Sequence, residues 1–166
     1  TFQSHKQILH CTTCNMMLRY NEYKQFEGIN IDAPFKNVNE WYEYQKIKLF
    51  DMKLMSYDTN YLFFEDKVKF IEVLFRKSKK IIDKNAIIKM YSNRIEVIYQ
   101  EKKSQFLFDK ISSSGVFGKN KLNFYVDKYI LQFKGNHSFN AMKYVNLFYK
   151  YKIEKGDVKN DKFLGL

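Results

Sequence analysis

Apolar side chains recur at every second position between residues 61 and 134, in segments separated by polar turn residues. This alternation is typical of β-strands that bury one face. After Gly135 the spacing becomes that of an amphipathic helix, which we expect to run to about Lys152. Strands joined by hairpins cannot bury a face while they lie flat, so we expect them to roll into two packed sheets or a barrel. The sequence therefore predicts about seven short antiparallel strands in residues 61–152, with the helix covering one open end.

Turn-forming residues divide this region into strands. Asn93 is predicted to form a tight turn between two strands, and a bulge is predicted within the first strand. The segments KSKKIIDKN (77–85) and SSGVFGKN (113–120) are predicted to be turns because they are rich in polar residues or glycine. Ser138 is predicted to cap the last helix. This order of seven strands and a C-terminal amphipathic helix is similar to the pleckstrin-homology fold.

The beginning of the chain has a different pattern. Apolar residues flank a pair of cysteines in residues 6–27 and indicate a small β unit. A connector with the only proline of the chain follows. It leads to a predicted helix over residues 41–54, which Asn37 or Asn39 can cap.

These patterns predict an α+β chain in two parts. Residues 1–57 form the Cys/His-containing β unit with its linking helix, and residues 58–166 form the strand-rich domain with the last helix and a frayed tail. No apolar run is long enough to cross a bilayer. Because the chain begins with Thr1, we expect it to be a piece of a longer or processed protein.

The stretch HKQILHCTTCN (5–15) contains the only two cysteines, Cys11 and Cys14, and two of the three histidines. Thiolates in a CxxC spacing suit one corner of a tetrahedral zinc site, and His5 and His10 are the nearest residues that could complete it. His10 and Cys11 would point to opposite faces of a straight strand, so they can share an ion only if the chain bends. The alternatives are a pair of inert reduced thiols in a reducing cytosol, and a redox motif, which the absence of a βαβ pattern disfavours.

The formal net charge of +11 favours an anionic partner, which could be nucleic acid, anionic lipid or an acidic protein. The densest basic run lies in residues 67–84, around the first predicted hairpin turn. Such a cluster can hold anionic lipid at roughly 1 kcal/mol per charge, whereas the alternative is a solvated turn whose lysines prevent edge pairing. Nucleic acid is disfavoured because the aromatic residues fall on alternating core positions. The predicted lipid-binding residues are Arg76, Lys77, Lys79 and Lys80.

Catalytic motifs are absent from the sequence: it contains no GxSxG, HExxH, P-loop or GxGxxG. The third histidine, His137, is interpreted as flanking the last helix, and catalysis would require a pocket that gathers it with acidic residues. The acidic residues are scattered among lysines and indicate solvated surface. The chain is therefore not expected to be an enzyme, and no catalytic residue is assigned.

Three segments resemble the C-terminal extension of some bacterial lysophospholipid acyltransferases of the lysophosphatidic acid type: HKQILHCTTCNMMLRYNEYKQFEGI, PFKNVNEWYEYQ and GKNKLNFYVDKYILQFKGNHSFNAMKYVNLFYKY. The resemblance extends from His5 to about Tyr151. In that family an N-terminal domain with an HxxxxD motif transfers the acyl group, and no such motif occurs here. The resemblance implies a cytoplasmic accessory domain at the inner face of the membrane, beside the acyltransferase catalytic domain of the parent chain. It also implies a small zinc-ribbon-like knuckle at Cys11 and Cys14, with zinc as a structural ion.

The sequence thus favours a non-catalytic accessory or regulatory domain of a membrane-associated phospholipid acyltransferase, which docks on anionic membrane. The rival function is a protein-interaction module that uses an exposed sheet edge or the aromatic residues of the first helix. An apolar patch left exposed around Trp41 and Tyr44 would favour that rival. A nucleic-acid-binding protein would instead show binding that falls steeply with salt.

Overall fold

The structure is a computed structural model that describes residues 2–74, 79–118 and 120–157. Within these ranges no helix is both long enough and apolar enough to span a membrane. Residues 158–166 of the predicted frayed tail and two of the predicted lipid-binding residues, Arg76 and Lys77, lie outside the described residues, whereas Glu154 still belongs to the last helix.

The chain divides into two units between Asp51 and Met52, a few residues before the boundary that the sequence pattern indicates. Glu154 accounts for this position. Its carboxylate accepts hydrogen bonds from the backbone N–H groups of Leu54 and Met55, at 3.0 Å each. The short 3-10 turn that begins at Leu54 therefore belongs with the last helix of the second unit.

The first unit is a four-stranded antiparallel sheet, with the strands in chain order, followed by a helix. Its elements are β1 (Phe2–His5), β2 (Ile8–Cys11), β3 (Met17–Tyr20), β4 (Phe26–Gly28) and α1 (Val38–Phe50). Each hairpin turn contains a residue with positive φ, namely Lys6, Asn15 and Lys24. The helix begins at one of the two predicted caps, because the side chain of Asn37 accepts a hydrogen bond from the N–H of Glu40 at 3.0 Å.

A small apolar core holds the first unit together. Its fully or nearly buried members are Leu9, Cys11, Met16, Leu18, Phe26 and Phe35. Trp41 and Tyr44 of α1 pack against this core and are themselves half-buried. The helix is therefore attached to the sheet through its aromatic residues.

The second unit has seven antiparallel strands followed by a helix, which confirms the predicted architecture of this part. Its elements are β5 (Phe64–Leu74), β6 (Lys79–Met90), β7 (Arg94–Tyr99), β8 (Lys102–Leu107), β9 (Ser113–Val116), β10 (Lys121–Val126), β11 (Tyr129–Lys134) and α2 (Ala141–Glu154). The strand order across the sheet is β8-β7-β6-β5-β11-β10-β9. The first and last strands of the unit are thus neighbours in the middle of the sheet.

The sheet of the second unit curls upon itself. Phe106 in β8 and Leu131 in β11 are separated by three strands in the sheet, yet both line one cavity of about 330 Å³. Phe70 in β5 stacks on Phe133 of β11, with ring centroids 5.2 Å apart, and also meets the ring of Tyr99 in β7 at 5.3 Å. The strands therefore bury one face by rolling, as the hairpin connections require.

Helix α2 covers part of this apolar face. Its central residue Phe148 is fully buried, and its ring meets those of Phe108 and Phe124 at centroid distances of 5.5 and 5.8 Å. The hydroxyl of Tyr144 donates a hydrogen bond to Asp66 of β5 at 2.6 Å. Burial and this carboxylate raise the pKa of Tyr144, so the phenol stays protonated at any physiological pH.

The predicted turn over residues 77–85 is wrong within its described part, because β6 already begins at Lys79. Ile81 pairs with Ile71 and Asp83 with Phe70 in β5. Pairing with a long neighbouring strand outweighs the polar composition on which the prediction relied, since strand preference depends strongly on context.

Two further local predictions are corrected by the structure. The segment 113–120 was predicted to be a turn, but Ser113–Val116 forms β9 and pairs with β10. Ser138 does not cap α2, since the Oδ1 atom of Asn140 accepts the hydrogen bond from the N–H of Met142. Asn and Ser have similar capping strength, so the sequence alone could not choose between them.

Candidate anion-binding cleft and cysteine loop

Four lysines from three strands converge on one cleft of the second unit. The cleft has a volume of about 310 Å³ and is lined by Lys67, Lys69, Lys84, Asn85, Lys134 and Asn136, among others. We call it the lysine cleft. Its strands, β5, β6 and β11, are direct neighbours in the sheet. None of the four lysines forms an ion pair with a carboxylate of the described residues.

A β-bulge shapes the floor of the lysine cleft. The register between β5 and β6 shifts around Lys69, so that two residues of β6, Lys84 and Asn85, face this one residue of β5. In a β-bulge, two residues of one strand lie opposite one residue of its neighbour. The strand with the extra residue bends, and its side chains are redirected. The extra residue lies on β6 and not within β5, where the sequence pattern predicted a bulge, and the shift places two lysines of adjacent strands at the cleft.

Two lysines of the cleft face each other directly, because Lys69 of β5 and Lys134 of β11 are cross-strand neighbours. Like charges in this position destabilise a sheet. The backbone leaves little freedom here, since a Cβ atom at Gly135 would overlap the ring of Phe139. The amide of Asn120 also donates a hydrogen bond to the carbonyl of Gly135 at 2.6 Å. The backbone next to Lys134 is therefore held in place.

The predicted lipid-binding residues Lys79 and Lys80 lie at the beginning of β6, and both are exposed. Two exposed apolar side chains accompany them, Leu74 at 42% and Ile81 at 50% of their full accessible area. Basic and apolar side chains therefore occur together at this end of the β5–β6 hairpin. Lysines of this kind can bind lipid headgroups while apolar neighbours enter the interface.

The charge of the protein is distributed unevenly between its two units. Residues 1–51 contain six basic and six acidic residues, whereas residues 52–166 contain 23 basic and 12 acidic residues. The first unit is thus formally neutral, and the second has the entire net charge of +11. The net positive charge that attracts an anionic surface therefore belongs to the second unit.

The two cysteines lie together in the turn between β2 and β3. Cys11 is the last residue of β2 and is 7% exposed, whereas Cys14 is exposed. The Sγ atom of Cys11 accepts hydrogen bonds from the backbone N–H of Cys14, from that of Thr13 and from the Cys14 thiol. These hydrogen bonds lower the pKa of Cys11 to about 7 and outweigh the effect of burial.

Further hydrogen bonds hold the cysteine loop, defined as residues 11–16. The N–H of Cys11 donates to the carbonyl of Met16 at 2.8 Å. The side chain of Asn30 accepts from the N–H of Met17 and donates to the carbonyl of Asn15, both at 2.8 Å. These hydrogen bonds fix the backbone of the loop, and no sequence motif had indicated Asn30.

The two predicted histidine ligands lie on the other face of the sheet. Burial alternates along β2, so that Cys11 faces the core while Ile8 and His10 face away from it. His5 pairs with Ile8 across the first hairpin and shares its face. Among the described residues, no group of three or more His, Cys, Asp or Glu side chains could hold a metal. The structure brings Cys11 and Cys14 together but does not bring His5 and His10 to them.

Two other candidates from the sequence have simple structural settings. His137 is exposed between β11 and α2 and does not line the lysine cleft.

Trp41 and Tyr44 lie beside Phe35, and their ring centroids are 6.2 and 5.5 Å from the ring centroid of Phe35. These two rings therefore stabilise the first unit, while Val38 and Ile47 of the same helix stay exposed at 47% and 58% of their full accessible area, and the protein-interaction module stays a prediction.

Sequence reasoning missed a buried ionic network in the second unit. Glu96 of β7 is only 2% exposed, and its carboxylate accepts hydrogen bonds from Lys103 at 2.9 Å, Arg94 at 3.1 Å and Gln105 at 2.8 Å. Burial raises the pKa of Glu96, but the hydrogen bonds from Lys103 and Arg94 outweigh it, so that the pKa lies below its usual value. The network joins β7 to β8, and all of its contacts are internal, so it serves the fold.

Comparisons with known proteins identify no family. No protein-family model matches the chain, and no curated protein matches it. Among solved structures, the Vps36 N-terminal PH domain is similar, with 13% sequence identity and a TM-score of 0.46 over 58% of this chain and 82% of that domain. A likeness at this level has no bearing on function, so the functional argument depends on the residues described above.

Proposed function

We propose that the second unit is a non-catalytic docking domain that binds the surface of membranes containing anionic phospholipid. The observation that supports this most directly is the lysine cleft, where Lys67, Lys69, Lys84 and Lys134 converge without a carboxylate partner among the described residues. The facing pair of Lys69 and Lys134 costs stability in the free protein. A phosphate group between them relieves that cost, so the same feature that weakens the fold strengthens binding of an anion.

The size of the expected effect separates this proposal from the simpler interpretation of a solvated surface. Each lysine near an anionic membrane contributes about 1 kcal/mol. Four lysines in the cleft and the exposed pair Lys79 and Lys80 are therefore sufficient for stable but reversible docking.

Lysines placed only to prevent edge pairing would lie on the edge strands β8 and β9. Those of the cleft lie on central strands, and edge protection does not explain them.

The predicted lipid-binding residues Arg76, Lys77, Lys79 and Lys80 form the second part of the proposed surface. Among the described residues, Lys79 and Lys80 lie with the exposed Leu74 and Ile81 at one end of the β5–β6 pair, which in this proposal contacts lipid. The headgroup phosphates then occupy the lysine cleft.

The setting of this docking domain is proposed from the sequence resemblance alone. In this proposal the chain is an accessory part of a phospholipid acyltransferase in the cytoplasm, beside the catalytic domain of its parent protein and at the inner face of the membrane. The coding sequence upstream of residue 1 provides the test. An HxxxxD motif there supports the setting, and an upstream sequence without one contradicts it while leaving the membrane proposal untouched.

Vesicle co-sedimentation of the full chain tests membrane binding. We expect sedimentation with vesicles of phosphatidylcholine mixed with phosphatidylglycerol, and none with phosphatidylcholine alone. In the variant Lys67→Glu, Lys84→Glu, Lys134→Glu, the loss of three lysines at about 1 kcal/mol each should weaken partitioning by roughly 100-fold or more. Raising the salt from about 0.1 M to 1 M should release the wild-type protein, since the charges are exposed.

A matched control has the same change in charge away from the cleft. Lys53, Lys110 and Lys155 are exposed lysines of the second unit that do not line it. If their replacement by Glu weakens binding as much as the cleft variant does, binding reflects only net charge and the proposed site is wrong. Binding of duplex DNA or RNA that competes fully with vesicles would favour a nucleic-acid partner and would also contradict the proposal.

A further inference from the structure

The cysteine loop contains two thiols and no other side chain of a kind that commonly binds zinc. The three hydrogen bonds to Cys11 hold both sulfur atoms of the CxxC pair next to each other, with Cys14 on the solvent side. Two neighbouring thiolates fixed in this way are one half of a tetrahedral thiolate site. The N–H donors that orient Cys11 are the kind of outer contact that positions a metal ligand.

The other half of such a site does not come from the described part of the same chain. His5 and His10 face away from Cys11, and no third Cys, His, Asp or Glu joins the pair there. The originally predicted set of four ligands within one chain therefore does not fit the structure. A structural zinc site needs four ligands, so two must be supplied from elsewhere.

We propose that the Cys11–Cys14 pairs of two copies of the chain bind one zinc ion between them. An identical pair supplies the two missing thiolates, and a two-fold axis through the ion makes the arrangement self-complementary. The zinc ion is thus the link between two protomers, and each protomer contributes half of the site.

The surroundings of the loop favour such an approach. Residues 12–15 are all exposed, and the sequence TTCN contains no charged side chain. The unit to which the loop belongs is formally neutral, so this unit itself adds no net charge repulsion between two copies.

Metal content and mass, measured together, test the proposal on the full chain kept in a non-thiol reductant, which excludes disulfide-linked dimers. The protein is treated with chelator, titrated with zinc and examined by light scattering after size exclusion. We expect one zinc ion per two chains and a dimer that returns to monomer when chelator is added. The variant Cys14→Ser changes an exposed residue and should keep the fold while losing both zinc and dimer.

The double variant His5→Ala, His10→Ala is the matched control and should retain the zinc and the dimer unchanged. One zinc ion per monomer, loss of zinc in the histidine variant, or a dimer that forms equally well without zinc would each overturn the proposal, as would a chain that takes up no zinc. Circular dichroism of each variant confirms that the fold is intact. The outcome is independent of vesicle binding, because that proposal concerns the other unit.

Discussion

The two units of this protein differ in how they use polar residues. The first unit is neutral, and its notable polar groups are two cysteines held by internal hydrogen bonds in an exposed loop. The second unit has all of the net positive charge and gathers in one cleft four lysines that form no ion pair with the carboxylates the structure describes. Our two proposals assign a division of labour, in which the first unit binds a soft metal ion and the second binds an anionic surface. The predictions below ask whether the two units behave as separate bodies.

The largest effect is expected from removing a central side chain of the second unit. Phe148→Ala deletes a fully buried ring that contacts Phe108 and Phe124, and should lower the free energy of unfolding by about 3–5 kcal/mol. Trp41, the only tryptophan, lies in the first unit. We therefore expect the denaturation curve followed by circular dichroism to shift while the tryptophan fluorescence transition stays in place. A fluorescence transition that moves equally would show that the two units unfold as one.

A smaller effect is expected from the buried carboxylate of the second unit. Glu96→Gln removes the charge that Arg94 and Lys103 neutralise, and should cost about 2 kcal/mol near neutral pH. Because folding lowers the pKa of Glu96, its ionisation stabilises the protein above the unfolded pKa of about 4.3. That contribution disappears as pH falls through the folded pKa. The difference between wild type and variant should therefore shrink in acid, and a difference that stays constant down to pH of about 3 would contradict the assignment.

The smallest effects on stability are expected from removing the side chain that caps the helix N-terminus in each unit. Asn37→Ala and Asn140→Ala each remove a side chain that accepts the hydrogen bond of a helix N-terminus, at about 1 kcal/mol each. The first should move only the tryptophan transition and the second only the transition of the strand-rich unit, as measured by denaturant unfolding. Crossed effects, in which either variant moves the other transition, would argue against two separate units.

The strands that the sequence predicted best are those with regular alternation, such as β10 and β11, because burial of one face determines both pattern and structure. The start of β6 was missed because the polar residues from Lys79 onward are held as a strand by pairing with β5. Such pairing is a long-range interaction and leaves no local signal. The same reason explains why Lys134 was not recognised as a partner of Lys69.

The cysteine pair differs from the strands. Its local motif correctly indicated that two thiols lie together, but it did not identify which other residues could complete a metal site. The spacing of Cys11 and Cys14 correctly brought two sulfur atoms together, since a turn of that length determines it. The histidines were chosen by nearness in sequence. Alternation along β2 places His10 on the other face from Cys11, and this geometric fact decides which ligands can meet.

The most direct test of the division of labour is vesicle flotation with matched charge reversals in the two units. One variant carries Lys67→Glu, Lys84→Glu and Lys134→Glu in the second unit. The other carries Lys24→Glu, Lys36→Glu and Lys48→Glu at exposed positions of the first unit. We predict that only the second-unit variant fails to float with vesicles containing phosphatidylglycerol. Equal loss in both variants, or equal flotation of all proteins, would contradict the claim that the lysine cleft binds the membrane.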